Sequence, residues 1–418
     1  LYHNKKIITF ISLHVQIGTS IQHPSLPVLE KRLYRISLFN LFLVSLIGLY
    51  LRSAPVASIW AGSYKNILHA HSHFAFGGWI MPALVALIIR FFPELANTIA
   101  YKHWRNLSVL LLIAAYGMLG SFPFQGYGPV SICFSTLSII ASFYLAWLVW
   151  RARVSGKDSI AHQFLRAGLF YLVLSSAGPF ATAPLIAMGK AGSALYFNVI
   201  YFYLHFQYNG WFTFALLAVL YKITGHAPGR YSKNAFALFN ISCIPAYFLS
   251  VLWSHPAPAF FIIAAVAAIL QLIALFYLLA DIVDNNSNRR LNGLVRLSLG
   301  IFAMKIILQL LGAFPAIADM SYLHRNFIIA YLHLVLLGFV TFFIMGAMHL
   351  HESPTERSSK KWSILFIATW VFTEGLLLLQ ATGEVADFQI LNFTTWLFLA
   401  SCFFPVAILG IWVKDLSS

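Results

Sequence analysis

The chain has 418 residues, 60% of them hydrophobic and only 9% charged, with a mean hydropathy of +0.80. That balance excludes a soluble globular fold, which needs far more polar surface than this sequence supplies. The net charge of +15 comes from basic residues clustered between apolar runs, which points to membrane orientation and away from nucleic-acid binding.

In chain order, residues 1–32 read as a cytoplasmic arm. Residues 1–28 within it are open between an irregular native segment and non-native upstream sequence. Residues 33–418 read as one integral domain. Apolar runs of roughly 18 or more residues mark membrane-spanning helices. Bounded by charge, proline and glycine, they predict twelve spans: 33–51, 66–91, 105–120, 129–151, 164–186, 195–222, 235–253, 258–281, 294–312, 326–349, 362–380 and 391–413. The fold class expected is therefore an all-α integral membrane protein with twelve transmembrane helices, and its first partner is the lipid bilayer. The three cysteines, Cys133, Cys243 and Cys402, are scattered through these runs without a CxxC. Neither a disulfide framework nor a thiolate metal site is indicated.

Lysine and arginine test the scheme. Twenty-two of the 27 fall in the N-terminal arm, alternate loops and the C-terminal end; Arg52, Lys65, Lys190 and Arg325 lie in the intervening loops and Lys305 within a span. The alternation places both termini in the cytoplasm. The histidines of helix 2 and His333 of helix 10 then fall in the outer half of the bilayer.

Ionisable groups inside a membrane are functional hypotheses by default. Here they are His69, His71, His73, His205, His255, His333, Lys305 and Glu374. The first three stand in "ILHAHSHFAFGGWIMP" (67–82). At about 100° per residue His69 and His73 share a face and His71 points roughly opposite, so the triplet is not one three-ligand site. His69 and His73 read either as interhelical hydrogen-bonders or as an i,i+4 metal pair. Neutral imidazole ligates haem iron, copper and zinc. His71 and His333 lie at matched depth on separate helices, as a six-coordinate haem requires. His205 and His255 read as a copper or zinc pair. Gly77, Gly78 and Gly338 read as helix-packing positions or as room for a flat macrocycle. Lys305 and Glu374 read as bundle-facing charges or as snorkelling ones. His103, His226, His349 and His351 read as solvated loop residues.

Several of these positions, in order along the chain, resemble subunit I of the haem–copper oxidases, a family that includes the nitric oxide reductases. Its helix 2 carries a low-spin haem histidine eleven residues before the proline of a Met-Pro motif, and His71 stands so before "MPAL" (81–84). Its helix 10 places two haem histidines two residues apart; "IIAYLHLVLLG" (328–338) has Tyr331 at the first and His333 at the second. "HFQYNGWF" (205–212) is similar to the reductase motif of helix 6, with Asn209 where that motif has Glu. "LWSHPAPA" (252–259) keeps His255 of a Trp-x-His-His pattern but has Pro256 at its second histidine.

The resemblance implies an oxidase subunit I-like bundle, as in a bacterial inner membrane, and a haem b between His71 and His333. The departures fall on the binuclear centre. Proline carries no ligand, and Asn209 cannot relay a proton as a carboxylate does. Tyrosine can ligate haem iron, so Tyr331 stays open as the ligand of a second haem, and copper at His205 and His255 stays open likewise. The family's arginine pair near the haem propionates is missing from the loop "ATGEVADFQ" (381–389).

The function expected is a haem-b-binding membrane protein with a degenerate catalytic centre, carrying an electron or sensing or handling NO or O2. A partner membrane subunit, or a cytochrome c or quinol donor, would supply the electron. The alternatives are an active divergent nitric oxide reductase or terminal oxidase, an NnrS-like haem–copper protein, and a haem-free structural or transport protein. Whether it is an enzyme stays open.

Overall fold

Long apolar runs in this sequence close into helices, the structure that satisfies every backbone group within its own segment. The computed structural model describes residues 26–56, 62–154, 159–225, 229–285, 287–350 and 360–417, and among them no strand occurs. The first helix begins at Leu26, so residues 1–25 of the N-terminal arm lie outside the described residues. In chain order the helices are α1 (Leu26–Ser53), α2 (Tyr64–Phe91), α3 (Tyr101–Gln125), α4 (Pro129–Arg151), α5 (Ile160–Ala187), α6 (194–224), α7 (Arg230–Cys243), α8 (Pro258–Asp284), α9 (Gly293–Leu311), α10 (Arg325–Met348), α11 (Lys360–Val385) and α12 (Phe393–Leu416).

Ten of these, all but α6 and α7, are long and apolar enough to cross a membrane. The two exceptions have physical reasons. α6 carries His205, Gln207 and Asn209 through its middle. α7 stops at Cys243, short of the expected 253, because Pro245 takes over a 3₁₀ turn (Pro245–Ser250) followed by another (Leu252–Ser254); proline removes a backbone donor and breaks the α pattern.

The packing is built around α2, α6 and α10, which touch one another, while α1, α3, α5, α9, α11 and α12 pack against them or against their neighbours. All residues of Phe206–Phe212 and of Phe342–Met348 are buried. The central trio shares a feature absent from the sequence reading: each contains a π-helical stretch, at Ala75–Ile80, Phe206–Phe212 and Leu334–Thr341. Aligned on these stretches, the sequence repeats as His-x4-Gly followed by an aromatic: His73–Gly78–Trp79, His205–Gly210–Trp211 and His333–Gly338–Phe339.

A widened turn leaves carbonyls without their usual amide donor, and in lipid each such group costs several kcal/mol. Side chains satisfy them here. Thr213 and Thr341, each eight residues after its histidine, donate to the carbonyls of Tyr208 (2.7 Å) and Leu336 (2.8 Å). Asn40 of α1 donates to the Gly78 carbonyl at 2.7 Å and Ser298 of α9 to that of Phe339 at 2.7 Å. Trp79 donates to Thr341 at 3.0 Å, tying α2 to α10. The glycines let neighbours close in: a Cβ at Gly210 would lie 2.5 Å from the Tyr171 side chain, and one at Gly338 2.7 Å from the Trp370 ring.

At one end of the bundle, Glu94 on the short helix Pro93–Thr98 meets Lys222 of α6 at 2.5 Å and His162 of α5 at 3.1 Å. Burial works against ionising this carboxyl, but the His162 and Lys222 contacts outweigh it and hold it down at about 2. Because the folded value is depressed, the contribution is complete above the ordinary carboxylate range near 4.5 and disappears as pH falls towards about 2. Glu94→Gln should therefore lower the melting temperature at pH 7 and leave it close to wild type near pH 2, which melts in detergent at both pH values would check.

Candidate functional site

His71 points from α2 into α1. Its ring lies near the Val44 carbonyl and over Gly48, where a Cβ would come within 3.0 Å of Cε1. Its Nδ1 is buried and has no hydrogen-bond partner. That nitrogen is held by no protein group, which leaves it open to a ligand from outside the chain. A buried polar atom left so costs about 1–3 kcal/mol.

His333 of α10 lies near enough to act electrostatically on His71, as does Arg52 at the end of α1. His333 Nδ1 is 3.5 Å from Glu374 Oε1 of α11 and 3.5 Å from the Arg52 guanidinium. Arg52 also donates to the Ser401 hydroxyl of α12. The Glu374 side chain is 9% exposed, so it does not snorkel. Five helices therefore meet here, contributing two histidines, one cation and one carboxylate.

A bis-histidine metal centre needs imidazoles whose second nitrogens are held by carbonyls or carboxylates. His333, with Nδ1 3.5 Å from Glu374 Oε1, fits that requirement. Sequence reasoning placed Arg52 in a loop and passed over Ser401. The usable signal was that Arg52 is one of four basic residues breaking the Lys/Arg alternation.

The other histidines part company with this pair. His73 stacks on Phe122 of α3, with centroids 4.4 Å apart, and its Nε2 lies 2.9 Å from the Tyr127 hydroxyl. His69 packs edge-on against Tyr127 at 4.7 Å, with its Nε2 buried and unpartnered. His69 and His73 thus share the α3 side of the helix and His71 the α1 side. Tyr127, in the turn after α3, is pushed up to about 12 by burial and by Tyr196, so it stays a neutral phenol. Behind His73 lies an internal cavity of about 40 Å³ lined in part by Ser138, Ser142, Tyr203 and Gln207, room for a few water molecules.

His205 is fully buried and both its nitrogens are engaged: Nε2 with the Cys243 carbonyl at 2.9 Å, Nδ1 with the Asn209 amide at 3.0 Å. His255 sits in a left-handed turn (φ 48°), with its side chain 74% exposed and 3.7 Å from Asp319. Each is occupied elsewhere, and the structure does not assemble them into a pair. Tyr331 faces Tyr208 of α6, ring centroids 6.4 Å apart. Among the described residues no group of three or more His, Cys, Asp or Glu is placed to hold a metal ion.

His103 and His349, expected in solvent, are half-buried. They lie within hydrogen-bond distance of Tyr144 (2.7 Å) and Tyr34 (3.2 Å). His226 and His351 lie outside the described residues. Lys305 is 2% exposed, over the Phe302 ring at 5.4 Å.

Among the described residues, fold and site together define an all-helical protein with ten helices suited to a membrane and a cluster of two histidines, an arginine and a glutamate among them. The chain matches no protein-family model and no curated protein.

Proposed function

We propose that this is a twelve-span, haem-b-binding membrane protein of the oxidase subunit I-like architecture, both termini cytoplasmic, in which His71 and His333 are the axial ligands. The observation that carries the reading is the orphaned, buried nitrogen of His71, set near a second histidine whose Nδ1 faces a carboxylate. α6 and α7 complete the twelve spans. Their polar middle and early proline explain why hydropathy alone leaves them out.

Haem b held by two histidines supplies a one-electron couple with no open coordination position. Electron transfer is thus favoured over gas chemistry, and the donor is a membrane subunit, a cytochrome c or a quinol. The engaged nitrogens of His205 and the surface position of His255 argue in the same direction, since neither offers a lone pair towards a second metal at the centre.

Protein purified in detergent from haem-replete cells should carry one haem b per chain by pyridine haemochrome. Its reduced spectrum should not change under carbon monoxide. A colourless preparation overturns the reading. A carbon monoxide shift would replace electron transfer with diatomic-gas handling at an open iron.

A further inference from the structure

We propose that Glu374 and Arg52 form an opposed charge pair on the Nδ1 side of His333 and set the reduction potential of the haem this histidine holds. The inference rests on the haem reading above.

The geometry is specific. One ring nitrogen of His333 is flanked at 3.5 Å by a carboxylate oxygen and at 3.5 Å by a guanidinium, from α11 and α1 respectively. Arg52 is steadied by the Ser401 hydroxyl, which itself donates to the Leu397 carbonyl. Glu374 sits well inside α11, with its side chain only 9% exposed. A charged pair at this depth is poor value as a stabilising device, since apolar side chains of similar volume commonly do as well or better. Intramembrane charges mark functional positions.

What these two charges can do follows from their position behind an axial ligand. A carboxylate 3.5 Å from Nδ1 puts negative charge beside the ligand and favours ferric iron, while a nearby cation favours the less positive ferrous state. Glu374 and Arg52 are positioning residues with effects of opposite sign. In that they differ from residues that merely hold the helices together.

The experiment uses the purified, haem-loaded full chain, with haem content measured first and the α band then followed in a potentiometric titration at pH 7. Glu374→Gln should shift the reduction equilibrium at least tenfold towards ferrous haem, about 59 mV upward for one electron. Arg52→Gln should shift it downward, and Glu374→Asp should stay nearer wild type. Unmoved potentials in haem-containing variants, or shifts of the same sign, overturn the proposal while leaving the haem reading intact. A colourless wild-type protein removes the haem reading and this proposal with it. If Glu374→Gln does not accumulate with haem, Arg52→Gln decides: a downward shift supports the pair, and an unchanged potential overturns it.

Discussion

If His71 and His333 hold haem b as proposed, alanine at either should strip it from the purified protein, whereas alanine at His205 should leave the haem in place and lower the melting temperature. The contrast follows from what each imidazole touches. His71 presents a nitrogen with no protein partner, so truncating it would remove the proposed ligand and little protein–protein bonding. His333 has one nitrogen beside Glu374 and Arg52, and its loss leaves those two charges without the ring they face. His205 spends both nitrogens on the protein. Its removal leaves the Cys243 carbonyl and the Asn209 amide unsatisfied beside a new void, a loss of roughly 2–4 kcal/mol. Haem quantification and thermal melts on the three variants separate these roles. Haem retained in His71→Ala, or lost in His205→Ala with the fold intact, would reverse the assignment.

Much of this was legible from residue type and spacing. Helical geometry alone separated His71 from His69 and His73, and the coordinates place the first against Gly48 and the other two around Tyr127 and Phe122. Ten of the twelve expected helices read clearly because their apolar runs are long. The π-turns in α2, α6 and α10 coincide with a His-x4-Gly-aromatic repeat, a likeness between three helices that apolar-run length and single-motif spacing do not show. Arg52 escaped because a basic residue at a helix end is ordinarily a loop residue. Only the converging helices show it turned inward onto Ser401 and His333. Whether His205 and His255 meet depended on how α7 ends. Pro245 and the left-handed turn at His255 decide that through backbone conformation, which residue spacing does not encode.

Lys305→Met should raise the melting temperature of the detergent-solubilised protein. Lys305 is buried in α9 at 2% exposure, and among the described residues it makes no ion pair; its ammonium rests over the Phe302 ring at 5.4 Å. A cation–π contact offsets part of the desolvation of an ammonium group, but taking a charge out of water without a counter-charge costs far more than such a contact returns. Methionine fills nearly the same volume with an adaptable apolar chain, so the gain is on the order of 1–3 kcal/mol. Cys243 and His205 are its electrostatic neighbours, whereas those of His71 are His333 and Arg52. Haem content in Lys305→Met should therefore match wild type. A fall in melting temperature would instead mean that the ammonium is solvated inside the bundle. In that case the membrane-buried charge is maintained for the protein's activity and not tolerated as a defect of packing.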